Sequence, residues 1–348
     1  MFTAEELEEC DIFPKKITKM GIIKFTIYAM IMSFGLVLIY CFYSGRDLTS
    51  LLSLEGLKYN TDDYFNKRIW NIDKRYNYNL TDKYTMDIDY LQNNKEIFIK
   101  EYVTQSLPLI IKNVSLHMPV LTIFKTNNTE SVEEIKKLSG NHLFPVEVRR
   151  DPNKNYFLER AEVIALNYSE FLKNANNISR KSNYFLNEVR VDGLNSLLAE
   201  EIKNLKFLEF LSSRMDITTY SEGFDEFILS GHMEYHEVLL CELIGDIDLL
   251  LIPALFRNSV YPFKKNYGPP NYSAADFFVG NYGRFPNLRD TNRLYITLSK
   301  GDCIYIPSFW WFSIKTIEEA HYSYIKLNFR PHSRWAYDII KALESENF

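Results

Sequence analysis

Near its start the chain carries one almost unbroken apolar stretch, GIIKFTIYAMIMSFGLVLIYCFY, at 21–43. Its only charge is Lys24, near one end, where a long side chain can reach the interface. About 20 apolar residues span a bilayer core as a helix. Tyr40 and Tyr43 stand near the far interface, where aromatic rings are favoured. A buried core helix would show a polar stripe, and this stretch shows little. A cleaved signal peptide would follow a short basic start, whereas the tail here is acidic, EELEECD. The pattern predicts a tail over 1–20, a transmembrane signal-anchor over 21–43 and a polar stem or capping segment over 44–85.

Beyond residue 86 the texture changes to short apolar runs separated by Gly, Pro and Asn. LIIKNV at 109–114, HLFPVEVRR at 142–150 and SNYFLNEVRV at 182–191 read as strands. SEFLKNAN at 169–176 reads as a helix with Ser169 as N-cap. LNSLLAEEIKNLKFLEFLSS at 194–213 has apolar residues at helical spacing. A dense series of strands follows: MDITTY, EVLLCELIG, IDLLLIPA, RLYITLSKGDCIYIPS, WWFSIKT and YSYIKLNFR. RWAYDIIKALESEN closes the chain as a helix within 333–348. The class predicted is mainly β with flanking helices, a barrel or sandwich over 86–332.

Charge sets the orientation. Lys15, Lys16, Lys19 and Lys24 precede or open the span, while Arg46 and Lys58 follow it. The positive-inside bias puts the N-terminus in the cytosol, and the main domain in the secretory lumen or outside the cell. The alternative is the mitochondrial inner membrane, with the N-terminus in the matrix. Sequons at Asn79, Asn113, Asn127, Asn167, Asn177 and Asn271 agree with a lumenal glycoprotein. The net charge of −5, with both signs mixed along the chain, lacks the basic stripe of a nucleic-acid binder. The partners expected are the membrane and a protein of unidentified kind.

Of four cysteines, Cys10 and Cys41 lie in or before the apolar stretch, and only Cys241 and Cys303 fall in the folded part. These two are either buried thiols, the simpler reading, or a pair across neighbouring strands. No CxxC and no Cys/His metal spacing is present.

The ordered series EYVTQSLPLIIKNVS, FPVEVRR, SEFL, NYFLNEV, HMEYHEVLLCELIGDIDLLLIPA, LSKGDCIYIPSFWWFSI and IKLNF resembles the cupin-like JmjC hydroxylases over roughly 90–330. The resemblance implies a double-stranded β-helix barrel, here behind one N-terminal transmembrane helix. It also implies iron(II) and 2-oxoglutarate, held by a two-histidine-one-carboxylate triad with open positions. The first two ligands, an H-x-D/E pair, correspond to His232 and Glu234. The third ligand, a histidine after the aromatic pair Trp310-Trp311, corresponds to Phe312. A phenyl ring has no lone pair to give a metal. The lysine that pairs with 2-oxoglutarate corresponds to Ile247, in GDI. Its loss removes a charge-assisted hydrogen bond worth roughly 1.5–3 kcal/mol.

His236 is the replacement third ligand to consider, with His321 more distant. On a straight strand His232 and His236 would stand ~13 Å apart, so only a sharp turn after Glu234 would bring His236 to the same ion. Trp310 and Trp311 read as packing, and 266–287 as an ordered loop over the barrel mouth.

The expected function is therefore a pseudoenzyme: a membrane-held binding or scaffold domain without cofactor, with His232 and Glu234 as residual metal residues. Two alternatives stand beside it. One is an iron(II)/2-oxoglutarate hydroxylase with a rearranged site. The other is an accessory subunit of a larger membrane complex.

Overall fold

A computed structural model describes residues 84–118, most of 133–149, 162–175, 184–190, most of 200–224, 227–263, most of 268–316, and 321–331. The expected tail, anchor, most of the stem and the C-terminal helix lie outside these residues. So do the sequons at Asn79, Asn127 and Asn177. Among the described residues, no helix is long and apolar enough to cross a membrane.

The first elements form a short layer. β1 (Thr85–Asp87) leads into α1 (Ile88–Asn93), whose N-cap Asp87 accepts from the Asp89 amide. α2 (Lys95–Ile97) runs on as a wider π-helical turn over Phe98–Val103, then β2 (Leu109–Lys112) follows. β3 (Leu143–Val148), β4 (Glu162–Asn167), α3 (Tyr168–Ala175) and β5 (Tyr184–Arg190) come next. α3 starts one residue earlier than expected. Asn167 and Glu170, not Ser169, cap it: each side chain accepts the other's backbone N–H, at 2.9 and 3.1 Å.

The helix expected over 194–213 is described only from residue 200 on. There residues 200–202 and 204 are helical as expected, and past a break the chain goes on as a 3₁₀ turn, Lys206–Leu208, and a single turn, α4 (Glu209–Ser212). Leu205 is extended, with ψ 103°, which interrupts the helix. The break lets Leu205, Phe207, Leu208 and Leu211 all bury together.

The remaining strands are β6 (Met215–Gly223), β7 (Ile228–Met233), β8 (Glu237–Ile244) and β9 (Asp246–Ile252). They continue with β10 (Leu294–Ser299), β11 (Cys303–Ile306), β12 (Trp311–Thr316) and β13 (Tyr322–Phe329). Two sheets result. One runs β1-β2-β11-β8-β13-β6-β5-β3-β4 and the other β10-β9-β12-β7. From β6 onward the chain passes back and forth between them, as expected of a cupin/JmjC barrel.

Period two explains the burial. β8 and β13 are buried along their whole length, because both faces of the large sheet are covered. Leu239, Cys241 and Leu243 face the layer built from Ile88, Leu91 and Phe98. Val238, Leu240, Tyr322 and Tyr324 face inward, against Leu249, Leu251, Phe312 and Ile314 of the small sheet. Trp310 and Trp311 are buried in this inner core, as expected.

Two glycines allow the sheet changes. Gly245 (φ +80°) turns β8 into β9, and a Cβ there would meet the His321 carbonyl at 2.5 Å. Gly301 (φ +84°) splits the run 293–308 into β10 and β11, which belong to different sheets.

The two cysteines are not free thiols. Cys241 and Cys303 are direct partners across β8 and β11, with Cα atoms 4.0 Å apart, and they form a disulfide. The alternation of both strands turns the two side chains to the same face.

Candidate functional site

β7 carries His232 into the interior, where it is 1% exposed. Its Nδ1 lies 3.0 Å from the Ser230 carbonyl, which only accepts, so Nδ1 bears the proton. Nε2 is then the lone-pair nitrogen, and it has no hydrogen-bond partner among the described residues. Burial lowers the pKa of the ring, which keeps it neutral. Glu234 Oε1 is 3.7 Å away, beyond a hydrogen bond.

Phe312 is the register partner of His232 across β12 and β7, with ring centroids 4.2 Å apart. Tyr272 stacks on the imidazole at 5.2 Å. It comes from the long loop, whose Asn271 and Ser273 bond the backbone of Met233 and Gly231 at 2.7 Å each. The loop therefore extends the small sheet past its edge strand β7. It closes the site from that side, as the sequence led us to expect of a cap.

Glu234 follows β7, in the turn to β8. It meets Lys326, which β13 directs inward with a side chain 2% exposed. Lys326 Nζ lies 2.8 Å from Glu234 Oε1 and 2.6 Å from Glu188 Oε1. Glu188 reaches this point from a break in the β5–β6 register between Leu186 and Val189. It has φ +49°, and its N–H donates to Ser221 Oγ at 2.8 Å. This is a bulge, which re-aims one side chain.

Burial works to lower the Lys326 pKa, but the two carboxylates override it and raise it. Burial likewise pushes Glu234 upward, and the Lys326 ammonium more than reverses it. The lysine is an ammonium and Glu234 a carboxylate at neutral pH.

Glu188, His232 and Glu234 each offer a ligand atom, all within 4.8 Å of one another. An iron(II) triad needs such donors around a centre with open positions. Here an ammonium stands between the two carboxylates, and the Phe312 ring lies against His232. As arranged, the group does not fit that metal centre. Ile247 is 0% exposed and packs in the inner core. It offers no charge to an anionic cosubstrate. Asp246, next to it, is exposed.

A family model described as a cupin-like domain matches residues 94–333. The chain belongs to the cupin-like domain family. It is 20% identical over 240 residues to JmjC domain-containing protein D of Dictyostelium discoideum, covering 64% of this chain and 52% of that protein. It is 23% identical over 227 residues to Lysine-specific demethylase JMJ30 of Arabidopsis thaliana, covering 64% of this chain and 50% of that one. A shorter match, 26% over 87 residues, is to JmjC domain-containing protein C of Dictyostelium discoideum, covering 25% of this chain and 20% of that protein. The chain spans about half the length of the first two relatives.

Within this cupin-like domain, His232 and Glu234 do come together, as their spacing implied. His236 does not join them. Its Nε2 lies 3.1 Å from Asp216 Oδ2, because the turn after Glu234 carries it away from the interior. His321 bonds Glu222 at 2.7 Å and stacks on Phe224, also apart from the site.

The sequence reading missed Glu188 and Lys326. Lys326 had a signal: it shares the period-two face of Tyr322 and Tyr324, in a strand where it is the only charged residue. Glu188 had none, since its aim depends on the bulge.

Proposed function

We propose that this protein is a membrane-anchored pseudo-oxygenase, a cupin-like double-stranded β-helix that serves as a binding or scaffold domain. The carrying observation is Phe312, a ring without a lone pair directly opposite His232. Ile247, buried where the JmjC resemblance expects a lysine, supports the same reading. The proposed organisation is a tail over 1–20, anchor over 21–43, stem over 44–85, barrel over 86–332 and helix over 333–348. The Cys241–Cys303 disulfide supports a lumenal or external barrel, because such bonds persist in oxidising compartments.

A second reading is an iron(II)/2-oxoglutarate protein hydroxylase with a rearranged site. The three donors within 4.8 Å favour it, as does the demethylase name of one relative. It requires Lys326 to leave the carboxylates.

One assay separates the two. Full-length protein in detergent is incubated with iron(II), ascorbate and 2-oxoglutarate, and succinate is measured. The pseudo-oxygenase reading expects no succinate above a heat-inactivated control. Succinate formation lost on His232→Ala would establish the hydroxylase instead.

A further inference from the structure

We infer that Lys326 is a built-in cation standing in for a metal ion, and that Glu188, His232 and Glu234 become a divalent-metal site once the ammonium is removed. The inference rests on the non-catalytic reading and says what took the metal's place. Three observations carry it.

The first is position. The Lys326 ammonium bridges two of the three donors, at 2.6 and 2.8 Å. A metal ion between the same oxygens would sit about 2 Å from each. The donor atoms already lie within 4.8 Å of one another, so small side-chain rotations close the set.

The second is the tautomer of His232. Its Nδ1 is committed to the Ser230 carbonyl, so the unpartnered Nε2 is a lone pair inside the barrel. A histidine ligand is ordinarily oriented in this way, by a carbonyl on its other nitrogen.

The third is charge. Two carboxylates and one ammonium leave one negative charge among these groups. A divalent cation added beside the ammonium would make three positive charges against two negative ones. Like charges a few ångströms apart repel strongly away from bulk water. Without the ammonium, a divalent ion neutralises the two carboxylates. Lysine and metal are therefore alternatives at this site.

The test is a Co(II) and Zn(II) titration of the full-length protein in detergent, reading the visible Co(II) bands and the Zn(II)-induced shift in melting temperature. Wild type and Phe312→His, which keep Lys326, are expected to show neither signal. Lys326→Ala and the double variant Phe312→His/Lys326→Ala are expected to show both. Adding His232→Ala to Lys326→Ala is expected to abolish them.

Co(II) bands in wild type or in Phe312→His overturn the inference, because they mean that the ammonium does not exclude a metal. A folded Lys326→Ala protein that binds no metal also overturns it. If Lys326→Ala does not fold without metal, the Phe312→His arm still decides. Metal binding by wild type without succinate formation sinks this inference and leaves the pseudo-oxygenase reading standing. Succinate formation sinks that reading itself.

Discussion

Lys326 and Glu234 meet at 2.8 Å inside the barrel mouth, and the lysine side chain is only 2% exposed. Glu188 completes the pair into a triad at 2.6 Å. Removing one partner of a buried pair costs more than the pair contributes, because the other charge stays behind. Typical losses are about 3–5 kcal/mol. Glu188 and Glu234 retain 26% and 21% side-chain exposure, so water relieves part of the penalty. We expect Lys326→Ala to lose about 3 kcal/mol, the low end of that range. Glu234→Gln should lose less, since Glu188 still neutralises the lysine. Urea unfolding at neutral pH measures both, and equal losses would contradict this ordering.

The history of these residues shows what a linear reading can reach. His232 and Phe312 stand far apart in sequence, yet the resemblance to the JmjC hydroxylases implied one site for both, and the register of β7 and β12 makes them direct partners. The helix at 169–176 and the strand at 142–150 followed from local pattern alone, and both formed within a residue or two. The helix at 194–213 did not form as one piece, since burying four side chains around Leu205 outweighed continued helical bonding. Glu188 was beyond pattern reading. A one-residue register break reverses which face a side chain joins, and no composition signal marks it. The cysteine pair was open until the registers of β8 and β11 were known.

The disulfide closes a loop with a sequence separation of 62 residues. Chain-entropy arguments assign such a loop about 4 kcal/mol, and measured values are commonly 2–4 kcal/mol. Cys303→Ala should therefore destabilise the domain by about 2–4 kcal/mol in the absence of reductant. In wild-type protein isolated without reductant, neither Cys241 nor Cys303 should be alkylated before reduction. Peptide mapping by mass spectrometry reads this directly. Quantitative labelling of both would place the chain in a reducing compartment and weaken the lumenal assignment.

Glu242 predicts an unusual pH response. It faces inward from β8 and is 0% exposed. Burial, helped by the charge of Asp246, raises its pKa well above the ordinary value, against a smaller opposing effect of the Ser323 backbone. A raised folded-state pKa means that the folded protein binds the proton more tightly than the unfolded chain. The contribution is full below the unfolded value, near 4.5, and is lost as pH rises through the folded value. At neutral pH this residue works against folding. Glu242→Gln should raise the unfolding free energy at pH 7 by roughly 1–3 kcal/mol, the usual cost of an unmet buried polar group. The gain should shrink toward pH 4.5. A variant less stable than wild type at pH 7 would mean that the carboxylate has a compensating partner.

Glu222 presents the opposite arrangement on the outer face of the same sheet. It is also 0% exposed, but it accepts hydrogen bonds from Tyr168 at 2.7 and 3.0 Å and from Tyr220 at 2.7 Å. His321 Nε2 lies 2.7 Å from its Oε1. Both hydroxyls donate, and the His321 nitrogen can donate as well, so these three groups suit an acceptor-only partner. Hydrogen bonds to a charged group contribute about 1.5–3 kcal/mol each. Tyr168→Phe should cost an amount in that range, with the carboxylate still held by Tyr220 and His321. Glu222→Gln should cost more although it is nearly isosteric, because its amide group turns a donor toward donors. Thermal unfolding of the two variants tests the order. A Glu222→Gln protein as stable as wild type would show that shape, and not the carboxylate charge, holds β6, α3 and the β13 end together.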